Sequence, residues 1–320
     1  MLTSLRDIRI STLAAGLAVV TALSLAGCAG SDRATTPATT PSAEATAAPT
    51  APAITLVDAE AELAALEAEY DARLGVYVLD TATGLAVAYR SDERFAYAST
   101  HKALLAAAIL DTKTDAALDA TVTYTQADLV DYSPVTELHV ADGLPLRQIV
   151  DAAVRVSDNT AANLLVRELG GVEAFAAAIA ATGDDVTRVS RLEPELNEAT
   201  PGDDRDTSTP AAMASTLQHF ALGDGLTPEK RAQLVDLMSD NATGDELIRA
   251  GVPSGWTVAD KSGTAGYGTR NDIAIAWPEA APSGGPYVLA VMSSRSGEDA
   301  EYDNALIAEA TRVVFAALEE

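Results

Sequence analysis

Cysteine, histidine and lysine are all scarce in this sequence, and each scarcity excludes a kind of function. Cys28 is the only cysteine, so the chain closes no internal disulfide and carries no thiol chemistry beyond that position. The three histidines, His101, His139 and His219, are scattered without metal-ligand spacing, and neither a metal nor any other cofactor is expected. Positive charge is short as well. Against 47 Asp and Glu there are 21 Lys and Arg, a formal net charge of −26. Nucleic acid is therefore not a partner, because its affinity is dominated by Lys and Arg contacts to phosphate. The acidic excess describes a soluble, self-repelling surface. Lysine itself occurs four times, at Lys102, Lys113, Lys230 and Lys261.

The N-terminus has a short basic start with Arg6 and Arg9, then an apolar run from Leu13 to Ala26. That is the length of a signal-peptide core and too short to span a membrane comfortably. It ends in Leu25-Ala26-Gly27-Cys28, which resembles a bacterial lipobox, where the thiol takes a diacylglycerol and the cysteine becomes the new N-terminus. Residues 1–27 are read as a lipoprotein signal peptide. Residues 28–53, the lipidated Cys28 followed by "AGSDRATTPATTPSAEATAAPTAPA", are read as a disordered tether, since Ala, Thr, Pro and Ser without periodicity cannot bury enough surface to fold. An exported protein held at the outer face of the cytoplasmic membrane is expected.

Patterned sequence begins near Ile54, and residues 54–320 are read as the catalytic domain. Residues 58–70 predict a helix, and "LGVYVLDTATGLAVAYR" a β-hairpin around a glycine-containing turn. Residues 98–110 predict a helix that is apolar nearly all round and hence buried. A helix-rich middle follows. The stretches "WTVADKSG", "NDIAIAW" and "PYVLAVMSS" are short strands, and residues 301–318 a closing amphipathic helix. Strands at both ends with helices between them predict an α+β fold. Its antiparallel sheet is built from both chain ends and flanked by helices, with an inserted all-helical domain and a cleft between the two lobes.

In this lysine-poor chain, "FAYASTHKALLAAAIL" places Lys102 in the most apolar helical segment, three residues after Ser99. The i, i+3 spacing puts both on one helix face. A serine hydroxyl needs a neighbouring base before it is a nucleophile, and a desolvated lysine can serve where an arginine, always protonated, cannot. Alone, the pair is a weak signal. Two further segments strengthen it: Ser157-Asp158-Asn159 in "RVSDNTAANLL" and Lys261-Ser262-Gly263-Thr264 in "ADKSGTAGYGTRNDIAIAW". Read blandly, Asp158 is a helix cap and Lys261 a protective lysine on an edge strand.

The ordered set Ser-x-x-Lys, Ser-Asp-Asn and Lys-Ser/Thr-Gly is the established signature of class A β-lactamases and penicillin-binding proteins. With "DYSPVTELHVADG" and "EPELNEATPGDDRDTSTP", residues 60–318 resemble a class A serine β-lactamase. The resemblance implies a monomeric enzyme that opens the β-lactam amide of penicillins and cephalosporins through a serine acyl-enzyme, conferring resistance. Ser99 would attack the carbonyl, its oxyanion held by the N–H groups of Ser99 and Thr264. Either Lys102 or Glu193, through water, would take the first proton. Ser157 would relay a proton to the leaving nitrogen. Asn159 would bind the acylamide side chain and orient Lys102, and Tyr132 would line the mouth of the cleft. Lys261, Ser262, Gly263, Thr264 and Arg270 would surround the substrate carboxylate.

Glu193, with Asn197 holding the same water, would hydrolyse the acyl-enzyme. Arg191 and Asp206 would close the loop as an ion pair, with Glu193–Pro194 in cis. Ala98, His101 and Ala265 depart from residues common in the family. A penicillin-binding D-Ala-D-Ala peptidase would share the first three motifs but has no use for Glu193 and Asn197. A non-catalytic wall-binding lipoprotein would have no reason to keep Ser99, Lys102 and Glu193 together.

Overall fold

Strand-forming sequence from the two ends of the domain meets in one sheet. Strands β1 (Thr55–Leu56), β2 (Arg73–Asp80) and β3 (Leu85–Tyr89) come from its start, and β4 (Thr257–Ala265), β5 (Thr269–Trp277) and β6 (Tyr287–Ser294) from its end. In space the order is β1-β3-β2-β6-β5-β4, antiparallel throughout except for the β1–β3 edge pair. The computed structural model describes residues 53–279 and 285–319, so the signal segment, Cys28 and all but the last residue of the tether lie outside the described residues. The β2–β3 hairpin turns where Asp80 Oδ1 accepts the Ala82 and Thr83 N–H groups and Gly84 takes φ +79°.

The central strands are apolar on both faces because both faces of the sheet are covered. On one side lie α1 (Glu60–Tyr70) and α8 (Asn304–Glu319), which bury Leu63, Leu66, Val314 and Phe315 against Val76, Val78 and Leu289. On the other side lies the region inserted between β3 and β4. It contains α2 (His101–Thr112), α3 (Leu146–Arg155), α4 (Asn159–Leu169), α5 (Val172–Ala181), α6 (Pro210–Ala221) and α7 (Pro228–Ser239). This is the α+β arrangement expected. The inserted region also holds two short ladders, Phe95–Ala96 with Thr207–Ser208 and Thr121–Val122 with Leu144–Pro145, which pin the ends of its long loops.

Helix α2 runs through the middle of this layer, with every residue from His101 to Leu110 buried. Each of Leu104, Leu105 and Ile109, fully buried there, contributes roughly 1.5–3 kcal/mol relative to exposure. A helix so embedded cannot shift without breaking the core, which makes it a rigid platform for its first turn. Among the described residues no helix is long and apolar enough to cross a membrane.

A surface this acidic repels itself, and salt screens that repulsion over about 10 Å at 0.1 M. Raising NaCl from about 10 mM to about 0.5 M is therefore expected to raise the thermal unfolding midpoint by a few degrees. A fall in the midpoint would mean that the surface ion pairs outweigh the repulsion.

Candidate active site

Ser99 sits in a 3-10 turn, Ala98–Thr100, that leads straight into α2, so the helix fixes its position. The preceding residue, Ala98, takes φ +50°, a left-handed conformation that turns the chain sharply from the Phe95–Ala96 strand. Three contacts hold this turn. Asn271 Nδ2 donates to Ala96 O at 2.7 Å, Thr100 Oγ1 donates to Tyr97 O at 2.6 Å, and the His101 ring bonds Ala98 O through Nδ1 at 2.7 Å. Lys102 is completely buried, and desolvation lowers its amine below the usual range, opposed by the charges of Glu193 and Asp158. The amine donates to Ser157 O at 2.8 Å, to Asn159 Oδ1, and at 3.4 Å to Ser157 Oγ; it lies 3.1 Å from Glu193 Oε1. None of its bonds goes to Ser99 Oγ.

The Ser-Asp-Asn segment occupies the break between α3 and α4. Ser157 takes φ +60°, and Asp158 caps α4 by accepting from Ala161 N. Capping is only part of the work of Asp158, which also accepts from Val135 N, Thr136 N and Thr136 Oγ1 and so anchors the loop carrying Tyr132. Asn159 completes that anchor: its N–H donates to Tyr132 O and its Nδ2 to Asp131 O, both at 2.9 Å. Tyr132 is left 60% exposed.

Glu193 is 2% exposed, which excludes a solvated loop carboxylate. Its backbone is clamped by Asn163, which accepts from Glu193 N at 2.9 Å and donates to Glu193 O at 2.8 Å. Glu193–Pro194 is cis. Asn197 Nδ2 donates to Glu193 Oε2; Asn197 Oδ1 is buried without a hydrogen-bond donor, and Glu193 Oε1 faces only the Lys102 amine, 3.1 Å away. The loop is closed by the Arg191–Asp206 ion pair, and the fully buried Asp206 also accepts from Ser190 N, Arg191 N and Tyr97 Oη.

β4 is an edge strand, yet Lys261 on it is fully buried, so it is no protective surface lysine. Its amine donates to Ser157 Oγ at 3.2 Å and Ser262 O at 2.9 Å. The Ser157 hydroxyl thus stands between two buried amines. Desolvation, then the charge of Lys102, lowers Lys261 to about 7. Gly263 lets the strand pass the turn at Ser99, since an added Cβ would lie 3.0 Å from Tyr97 O and 3.1 Å from Ser99 N. Across the β4–β5 ladder from Thr264 lies Arg270, also buried, whose guanidinium is lowered by desolvation. Arg270 donates to Thr264 Oγ1 at 2.8 Å, Asn304 Oδ1 at 2.8 Å and Thr243 O at 3.2 Å.

Four residues join the site that sequence reasoning did not single out. Thr243 bonds Ser262 Oγ at 2.6 Å and accepts from Arg270; Asn304 and Asn163 are the contacts just given; Tyr97 ties the turn at Ser99 to Asp206, its N–H donating to Asp206 O at 3.2 Å. Thr243, in a loop, and Asn304, at the start of α8, lie far apart in sequence and carry no local signal. All twelve residues named for catalysis and substrate binding are brought together on these four segments and the Tyr132 loop.

A family model described as the β-lactamase enzyme family matches residues 58–318. The chain belongs to that family. A β-lactamase of Bacillus licheniformis is 54% identical over 257 residues, covering 80% of this chain and 83% of that protein. Among solved structures, a halotolerant bacterial β-lactamase matches with a TM-score of 0.79 at 52% identity, over 81% of this chain and 99% of that one. A class A β-lactamase from Clostridium kluyveri matches with a TM-score of 0.79 at 46% identity, over 82% and 98%. The fold described above is thus that of a class A β-lactamase.

In this β-lactamase the ring of His101 packs between Tyr97 and Phe175, and burial pushes it down to about 4, with the Lys102 and Lys261 charges acting in the same direction and Glu193 against them. The group is harder to protonate folded than unfolded. Its contribution to stability is therefore complete above about pH 6.5 and is lost as pH falls from there towards 4. The loss is on the order of 3 kcal/mol. Thermal unfolding of the parent should fall more steeply between pH 6.5 and 4.5 than that of His101→Phe; parallel curves would contradict this.

Proposed function

We propose that this β-lactamase opens penicillins and cephalosporins in two steps, acyl transfer to Ser99 and hydrolysis driven by Glu193. The observation that carries the reading is the buried Glu193–Asn197 pair, in which Asn197 Oδ1 has no donor and Glu193 Oε1 meets only the Lys102 amine. A water donating to both keeps a lone pair for attack on an ester at Ser99, and Glu193 takes its proton as the C–O bond forms.

In the first step Ser99 Oγ attacks the lactam carbonyl, the oxyanion rests on the N–H groups of Ser99 and Thr264, and the C–N bond breaks. The leaving nitrogen receives its proton from Ser157 Oγ, which stands between the amines of Lys102 and Lys261 and is recharged through them. We assign the acylation base to Glu193 acting through the same water, because the Lys102 amine directs its N–H groups at Ser157 O, Asn159 Oδ1 and the Glu193 carboxylate. In the second step water attacks, the acyl–oxygen bond breaks and Ser99 recovers its proton.

Lys102, Lys261 and Arg270, three buried cations in a chain of net charge −26, make the cleft a site for an anionic substrate. Lys261, Ser262, Gly263, Thr264 and Arg270 receive the substrate carboxylate, and Asn159 with Tyr132 faces the acylamide side. The peptidase alternative leaves the buried Glu193–Asn197 pair without a purpose. Lipidation of Cys28, export to the outer face of the membrane, a monomeric state and a role in resistance complete the reading.

Excess benzylpenicillin mixed with the purified protein should be hydrolysed far beyond one equivalent; a burst ending at one equivalent would make it a penicillin-binding protein instead. Glu193→Ala should cut turnover by about 10²–10⁴-fold, the range for loss of a general base, and mass spectrometry should find the acyl adduct on Ser99. Turnover at the parent rate would remove Glu193 from the mechanism.

The Lys261 amine, lowered to about 7 by burial, is a cation below that pH and loses charge above it. KM for benzylpenicillin is expected to rise several-fold between pH 7 and 9 with a smaller change in kcat. Lys261→Arg, whose guanidinium does not titrate there, should flatten that rise. A KM independent of pH in the parent would exclude this role.

A further inference from the structure

We propose that His101 is a positioning residue for the oxyanion hole, its imidazole N–H orienting the peptide whose N–H receives the oxyanion. The inference rests on the reading of Ser99 as the nucleophile. The Ala98 carbonyl and the Ser99 N–H belong to one planar peptide unit, so whatever fixes the carbonyl fixes the direction of the N–H. The ring Nδ1 of His101 lies 2.7 Å from Ala98 O. A carbonyl oxygen only accepts, so Nδ1 carries the proton and His101 is the donor. The backbone N–H of His101 donates to the same oxygen. Two donors on one carbonyl polarise the peptide and strengthen its N–H as a donor at the other end.

The peptide needs such a clamp. Ala98 is held at φ +50°, a conformation that costs a non-glycine residue about 1–2 kcal/mol. The adjacent restraints act elsewhere: Asn271 and Thr100 hold the Ala96 and Tyr97 carbonyls, and Gly263 packs against the turn without bonding it. Among the described residues, His101 is the one side chain that bonds the carbonyl of the 98–99 peptide. Its ring is fixed in turn by Tyr97, 5.3 Å away between centroids, and Phe175, at 6.2 Å. Buried at 5% exposure with neutral imidazole at working pH, it adds no charge to the site.

The test compares three variants. Asn places an amide N–H where Nδ1 stands, Gln moves it outward to the Nε2 position, and Phe keeps the ring and removes the donor. Two quantities are measured for each: kcat/KM with benzylpenicillin, and the inhibition constant of phenylboronic acid, whose tetrahedral adduct on serine directs an oxygen into the oxyanion hole. Loss of a complete oxyanion-hole donor costs about 10²–10³-fold. A misdirected one is expected to cost on the order of 10-fold in His101→Phe and His101→Gln, with boronate affinity falling by the same factor and His101→Asn restoring both to within about 3-fold.

A merely structural role would lower the titratable fraction of active enzyme and leave the boronate constant of the remainder unchanged. That result, or equal losses in Asn and Gln, overturns the proposal. If His101→Phe does not fold, the Asn–Gln comparison decides alone. Absence of turnover in the parent would instead overturn the functional reading itself.

Discussion

A single buried amine organises this site. Lys102 lies inside a helix that is apolar on every side, and removing an ammonium from water without partners costs several kcal/mol. The amine is tolerated because three oxygen atoms from two separate segments converge on it: the Ser157 carbonyl, the Asn159 amide and the Glu193 carboxylate. Those segments are the α3–α4 turn and the loop that carries Glu193. The requirement to solvate one charge therefore draws together, from positions up to 91 residues apart in sequence, groups that the chemistry needs side by side.

The same logic extends outward by one shell. Ser157 Oγ reaches from Lys102 to Lys261, and Lys261 sits beside Asp260 and across the sheet from the strand carrying Asp272. Both carboxyls are raised by burial, Asp272 well above its ordinary value with Asp260 adding to the effect. Even the two lysines away from the site point at main-chain carbonyls, Lys113 at Glu168 O and Lys230 at Lys113 O. Each of the four lysines thus donates to a main-chain carbonyl oxygen.

Much of this was legible in the sequence, and the reasons differ by element. One helix start carried its own chemistry: Asp158, read as a cap, accepts a hydrogen bond from the first turn of α4. The strands β4 to β6 were readable because sheets covered on both sides require continuous apolar runs. The three site motifs were readable because rare lysines marked two of them and their order matched a known family. Predicted boundaries moved by a few residues, the first helix starting at Glu60 and the last at Asn304. What stayed hidden was side-chain contact between separate elements. Thr243 against Ser262 and Arg270, Asn304 against Arg270, and Asn163 against Glu193 join positions 19 to 34 residues apart, with nothing periodic to announce them. The helix pairing of Ser99 with Lys102 was correct as spacing and incomplete as chemistry, because the amine is bonded across the cleft and not along its own helix.

The backbone shows where the fold accepts strain for this arrangement. Among the described residues with positive φ that are not glycine, Ala98, Tyr132, Ser157, Ala199 and Asp206 all lie in the segments that build the cleft or its loop. At about 1–2 kcal/mol each, their sum is comparable with the whole stability margin of an ordinary domain. Random surface turns would have exchanged these residues for glycine, which adopts the conformation freely. Glycine would also have released the very rotations that hold the Ser99 peptide, the Ser157 hydroxyl and the Tyr132 ring in place. Ser157 and Tyr132 need their side chains, and Asp206 is the buried half of the ion pair closing the loop, so strain is the condition for having a group and a sharp turn at the same position. Ala98 is different: it offers only a methyl group, and the side-chain hydrogen bond its carbonyl accepts comes from His101. A turn that is strained, lacks a functional side chain and is clamped through its carbonyl is best understood as serving its peptide, and the free end of that peptide is the Ser99 N–H.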